Sequence, residues 1–142
     1  MKLRKALSEK KLELHSRLQV IEGKARQLLE YAQGGTHLTF TTHGFSHTSA
    51  VEQNYDWLLS DSDISSMNEM ELFCLLAATF FHDAMMIPTK VGDEKAARRN
   101  HASKAEKFLT TQRDLIGLTI HEAKAIGQII LGHSVNSLVV PA

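Results

Sequence analysis

Cysteine is almost missing from this 142-residue chain: Cys74 stands alone, inside an apolar run. A lone thiol excludes a disulfide framework and fits a reducing, cytoplasmic compartment. A surplus of one charge is also missing, because 16 Lys and Arg offset 16 Asp and Glu. A broad sequence-independent grip on nucleic acid needs a positive surplus, so nucleic acid is not the favoured partner, although a local basic pocket stays open. No uninterrupted apolar segment occurs in the basic N-terminal stretch MKLRKALSEKKLELHSRL, which reads as neither a signal peptide nor a membrane span. No segment alternates apolar and polar residues long enough for a strand, HLTFTTH being too short, and there is no internal repeat or low-complexity tract. What is present, 43% apolar and 23% charged residues, suits one soluble globular domain with one hydrophobic core.

The remaining pattern is helical, and the fold class it predicts is all-α. Residues 2 to 33 contain no proline and one glycine, Gly23. Leu7, Leu14, Ile21 and Leu28 recur every seventh position, flanked by Leu3, Leu18, Ala25 and Ala32. This predicts one long helix with an apolar stripe, lysines, arginines and glutamates filling its solvated face, and Gly34-Gly35 ending it. Residues 1–35 are thus a long N-terminal helix, packed on its own domain or forming a homodimer seam, and 36–142 are the helical core. A second helix runs from near Gly44 to about Leu59, with His47, Ala50, Val51, Asn54 and Leu58 on one side. DSDISS reads as a loop. Ser66 and Glu69 form a capping box that opens a third helix through Phe81, burying Leu72, Leu75, Leu76, Thr79 and Phe80. Pro88 and Gly92 mark a loop, and a fourth helix covers roughly 101 to 115. Thr119 and Glu122 make another box, opening a fifth helix that carries Ile126, Ile129 and Ile130 and ends at Gly132-His133.

Eight histidines are the compositional oddity. His15 sits on a charged helix face, His121 in a first helical turn and His37 in a loop, and none of these needs a function. His43, His47, His82, His101 and His133 each fall at the end or on the apolar face of a predicted helix. His43 and His47, four apart, project from the same side of a helix. His82 and Asp83 end the run LLAATFFHDAMMIP, where an imidazole and a carboxylate are costly to bury without partners. Neutral imidazoles with a carboxylate and no thiolate suit manganese, iron, cobalt, nickel or zinc. Satisfied core and cap histidines are the alternative that spacing leaves open.

HGFSHTSAV, followed thirty-five residues on by LLAATFFHDAMM, resembles the HD superfamily of metal-dependent phosphohydrolases. RRNHASKAEKFL and AIGQIILGH are similar to the segments that supply further histidines in its two-metal members. The TTHGFSH opening after a long helix is similar to HD modules at the front of large bacterial proteins, some joined to chaperone-type ATPase modules. The resemblance covers about residues 37 to 133 and implies an HD-domain-like helical bundle. It also implies metal ligands His47, His82, Asp83, His101 and His133 around one or two divalent ions, magnesium being a further candidate, with Asp83 bridging two. His43 would then give a proton to the leaving oxygen, while an activated water attacks phosphorus in line. Lys90, Lys95, Arg98 and Arg99 lie between two ligand segments and would hold substrate phosphates, the alternative being a charged surface loop. Glu52, Asn54 and Asp56 are candidates to accept from ligating rings.

Two departures limit the match. Gly44 stands where the phosphodiesterase pattern His-Asn-x-x-His has asparagine. The family's distal aspartate has no counterpart in its usual setting, because the later carboxylates are Asp93, Glu94, Glu106, Asp114 and Glu122. Either the chain is a C-terminally truncated piece of a longer polypeptide or the member is degenerate, and the presence of every earlier ligand favours the first. The expected function is a phosphohydrolase or phosphodiesterase acting on a nucleotide or related phosphoester. The alternatives are a non-catalytic HD module for nucleotide sensing or partner docking and an HD-type nuclease.

Overall fold

The computed structural model describes residues 1–35, 45–82 and 94–136, with side chains for 1–27, 49–82 and 103–132. Among them are eight helices and no strand: α1 (Lys2–Lys10), α2 (Leu12–Gly35), α3 (Phe45–Leu58), α4 (Asp61–Ser66), α5 (Glu69–Phe81), α6 (Glu94–Thr111), α7 (Arg113–Ile116) and α8 (Ile120–Asn136). The fold is all-α, as the periodicity predicts.

The N-terminal segment is two helices. Lys11 is extended (φ −156°, ψ 96°), and its effect is measured by an ion pair: Arg4 Nη1 and Nη2 donate to Glu22 Oε1 and Oε2 at 2.8 and 2.6 Å. On one straight helix these residues would be about 27 Å apart along the axis, so the chain turns back at Lys11. The apolar stripe survives the turn. Leu3 and Leu7 on α1, and Leu14, Leu18, Ile21 and Ala25 on α2, are all buried, and both helices pack on α5.

α5 is the central helix, buried on all sides from Leu72 to Phe81 except at half-buried Leu75. Its cap is Asn68 with Glu71, each backbone N–H bonded to the other's side chain at 2.8 and 2.9 Å. The Ser66–Glu69 box is not used, because Ser66 belongs to α4 and donates to the Asp63 carbonyl at 2.8 Å. DSDISS, read as a loop, is that helix. Ser60 and Asp63 cap it reciprocally at 3.0 Å, and buried Ile64 anchors it. Lys10 donates to the carbonyls of Ser65, at 2.9 Å, and Met67, which fixes the end of α1 to the end of α4.

The inward face of α3 differs from the expected one. Ala50, Asn54 and Leu58 are exposed, whereas Glu52 (2% exposed) faces inward with Tyr55 and Leu59 packed at the core margin. The reason is Arg4, whose Nε and Nη2 bind Glu52 Oε2 and Oε1 at 2.6 and 2.8 Å. A buried carboxylate is tolerable when a guanidinium satisfies both oxygens. The guanidinium also lies 5.4 Å from the Phe80 ring centroid. The two carboxylates outweigh desolvation and raise the Arg4 pKa above its ordinary value.

A second arginine clasp joins α2 to α8. Arg17 Nη2 and Nη1 donate to Glu122 Oε1 and Oε2 at 2.6 and 2.9 Å, and Nη2 also reaches the Gly117 carbonyl at 3.0 Å. This guanidinium lies 5.1 Å from the Phe73 ring centroid. Thr119 and Glu122 form the expected capping box, at 2.9 and 3.1 Å. Before it, Gly117 (φ +94°) ends α7 in the left-handed conformation that suits glycine.

α6 and α8 pack on each other. The connection between them, residues 112–119, is too short to return along either helix, so the pair is antiparallel. The expected fourth helix therefore starts earlier, at Glu94, and the fifth continues to Asn136. Ala105, Leu109, Ala123, Ile126 and Ile130 are buried, while Ile129 is exposed. The helices approach closely at Gly127, where a Cβ would stand 2.6 Å from Glu106 Cγ and 3.5 Å from Glu106 Cα.

Candidate functional site

The helices that carry the candidate ligands form a contiguous set: α3 packs on α5, α5 on α8, and α8 on α6. His47 lies in α3, His82 caps α5, His101 lies in α6 and His133 in α8. The backbones of His47, Lys95, Arg98, Arg99, His101 and His133 are described within their helices, but their side chains lie outside the described residues. His43, Asp83 and Lys90 lie outside the described residues altogether. Among the described residues no three His, Cys, Asp or Glu side chains form a group able to hold a metal ion. His82 is the candidate ligand whose side chain is described.

The local chemistry of His82 is well defined. Its Nδ1 lies 2.8 Å from the Thr79 carbonyl oxygen. A carbonyl only accepts, so Nδ1 carries the proton, and a neutral ring then has its lone pair on Nε2. Ligating histidines are held in this way, with one ring N–H on a carbonyl or carboxylate and the other nitrogen towards the ion. Thr79 is itself fixed. Its hydroxyl donates to the Leu75 carbonyl at 2.9 Å, which leaves Oγ1 to accept from Tyr55 Oη at 2.8 Å. Tyr55 on α3 thus holds the turn of α5 that orients His82. The ring at the end of α5 fits a divalent-ion ligand in tautomer and in setting.

Sequence reasoning missed Tyr55, and it placed Thr79 on the buried face without a role. The available signal was a threonine three residues before the His-Asp pair in an otherwise apolar helix. Of the proposed acceptors, Glu52 is occupied by Arg4, Asp56 accepts from the Lys2 backbone N–H at 3.0 Å, and Asn54 is exposed. His121 is exposed, as expected, and His15 is half-buried. Cys74 is no candidate nucleophile. Burial, with a smaller contribution from the Glu122 charge, pushes its thiol up to about 11, leaving almost no thiolate at neutral pH.

Two registers relate the ligand-bearing helices. In the antiparallel α6–α8 pair, Gly127 sits beside Glu106. His101 is five residues before Glu106 and His133 six after Gly127, so both positions rise about 8–9 Å from the crossing, in the same sense. In α5 and α8, Arg17 touches both Phe73 and Glu122, so α8 begins at the height of Phe73.

The sequence model of the family described as HD-CE matches residues 30–139. No curated protein and no solved structure matches the chain.

Proposed function

The chain belongs to the HD-CE family, an HD-domain-like family, and from that premise we propose that this HD-type module is a divalent-metal-dependent phosphohydrolase acting on a nucleotide or related phosphoester. The observation that carries the reading is the His82 ring, fixed through Nδ1 on the Thr79 carbonyl; in this reading Nε2 would be its ligating atom. The α6–α8 register supports it by bringing positions 101 and 133 to one height.

In this proposal His47, His82, Asp83, His101 and His133 would hold one or two divalent ions. Such ions supply a nucleophile at neutral pH and charge stabilisation on phosphate oxygens. His43 donates a proton to the leaving oxygen. Lys95, Arg98 and Arg99 on α6 and Lys90 before it hold the substrate phosphates.

Metal analysis of the purified chain, followed by phosphate release from a nucleotide panel with manganese, tests the reading. Asp83→Asn is expected to lose bound metal and turnover together; retention of both would overturn it. Nucleotide binding without turnover would instead assign a sensing module, and cutting of single-stranded DNA a nuclease.

A further inference from the structure

Between Leu12 and Gln27 the face of α2 turned away from the core carries no charge, Glu30 being the next charged position along it. At 100° per residue, Leu12, Ser16, Gln19, Val20, Gly23 and Gln27 fall within an arc of about 100° opposite the buried Leu14, Leu18, Ile21 and Ala25. All six are exposed, Leu12 at 67% and Val20 at 59%. Over this stretch the expectation that charged residues fill the solvated side of the helix holds only at its flanks, where Glu13 and Lys24 border one edge and Arg26, His15 and Glu22 the other. Charge depleted from a central strip and retained at its rim is the anatomy of an interface.

Gly23 adds an independent observation. It sits inside a 24-residue helix, where glycine is less favourable than alanine, and among the described residues nothing lies within 4 Å of where its Cβ would be. The fold itself gives no packing reason for a glycine there. A helix approaching from outside does.

We propose that this strip is a self-association surface, occupied by α2 of a second copy of the chain packed antiparallel about a two-fold axis between Gln19 and Val20. One axis satisfies three conditions at once. It sets Ser16 of each copy opposite Gly23 of the other, so the backbones can approach closely. It sets Leu12 against the partner's Gln27, closing the exposed leucine at each end. In an antiparallel pair each flank meets its own counterpart, so Glu13 of one copy lies beside the partner's Lys24. Lys24 is held in place because its Nζ also donates to the Leu115 carbonyl, which brings α7 with its exposed Leu115 (72%) beside the same flank. The contact is isologous, so it closes at two copies. At about 22 Å of helix from Leu12 to Gln27 it is a small, dissociable interface. It does not depend on the hydrolase reading, and the buried heptad stripe takes no part in it.

Sedimentation of the whole chain over a range of concentrations tests the proposal. The expected result is a reversible monomer–dimer equilibrium, in which Val20→Glu weakens the dimer on the order of tenfold or more by placing like charges at the centre, with thermal unfolding of the monomer unchanged. Glu13→Lys and Lys24→Glu are each expected to weaken the dimer, and the double swap to restore it, which also decides the matter if Val20→Glu fails to fold. A chain monomeric at every concentration overturns the proposal. So does a Val20→Glu dimer as tight as the parent, or a double swap no tighter than either single change.

Discussion

The proton on His82 Nδ1 is settled by a partner that can only accept, the Thr79 carbonyl, so the side chain arrives at the end of α5 in one tautomer. The two arginine clasps have the same single-residue character, since each satisfies a buried or nearly buried carboxylate through two oxygens. For Glu122, 7% exposed, the Arg17 hydrogen bonds, reinforced by the Thr119 backbone N–H, outweigh desolvation and hold the carboxyl below its ordinary value. A carboxyl depressed in the folded state binds fewer protons than in the unfolded chain. Its contribution is therefore complete above the unfolded value of about 4.3 and is lost as pH falls through the folded value. Glu122→Gln should accordingly flatten the acid limb of the stability–pH curve while lowering stability at neutral pH. Urea denaturation at a series of pH values measures both, and an acid limb as steep as that of the parent chain would refute the assignment.

At the scale of elements, the close approach of α6 and α8 depends on a missing side chain. Gly127→Val would drive new atoms into the Cβ–Cγ stem of Glu106, which cannot swing clear as a side-chain tip would. Overpacking of this kind costs about 1–3 kcal/mol, so the melting temperature should fall by several degrees in calorimetry. An unchanged melting temperature would show that the helices can separate freely.

Elements were mostly legible where apolar spacing or a capping box marked them, as in α2, α5 and the Thr119–Glu122 start of α8. Lys11 gave no warning of the turn, because neither glycine nor proline marks it and the seven-residue stripe continues across it. That turn is imposed by a tertiary ion pair, Arg4 with Glu22, which local sequence does not encode. Glu52 misled in the opposite direction. A glutamate reads as solvent-facing, and its burial depends on an arginine 48 residues away. At the start of α5 two boxes overlapped, and only the engagement of Ser66 in α4 decided between them.

At the scale of the whole molecule, sequence named the types of candidate ligand, and the structure supplies the scaffold that relates them: four helices joined in one series of contacts, α3 to α5 to α8 to α6, and one ring held through Nδ1. What the sequence could not supply was the register between helices far apart in the chain, such as Gly127 against Glu106. Among the described residues no buried side-chain nitrogen or oxygen lacks a hydrogen-bond partner, so the interior charges are all accounted for by the clasps and caps.

The clasps carry a final consequence. Arg4 lies over Phe80 and Arg17 over Phe73, so the N-terminal hairpin is stapled at two heights to the helix that ends in the candidate site. The family match begins at residue 30, after both staples. An excised segment trimmed to that boundary would bare two phenylalanines and leave Glu52 and Glu122 without their counter-charges. Such a fragment should bind the dye ANS and unfold without a sharp transition. A soluble fragment that melts cooperatively would mean the hairpin is an accessory; otherwise these first thirty residues are part of the folding unit, and any shortened version of the protein must keep them.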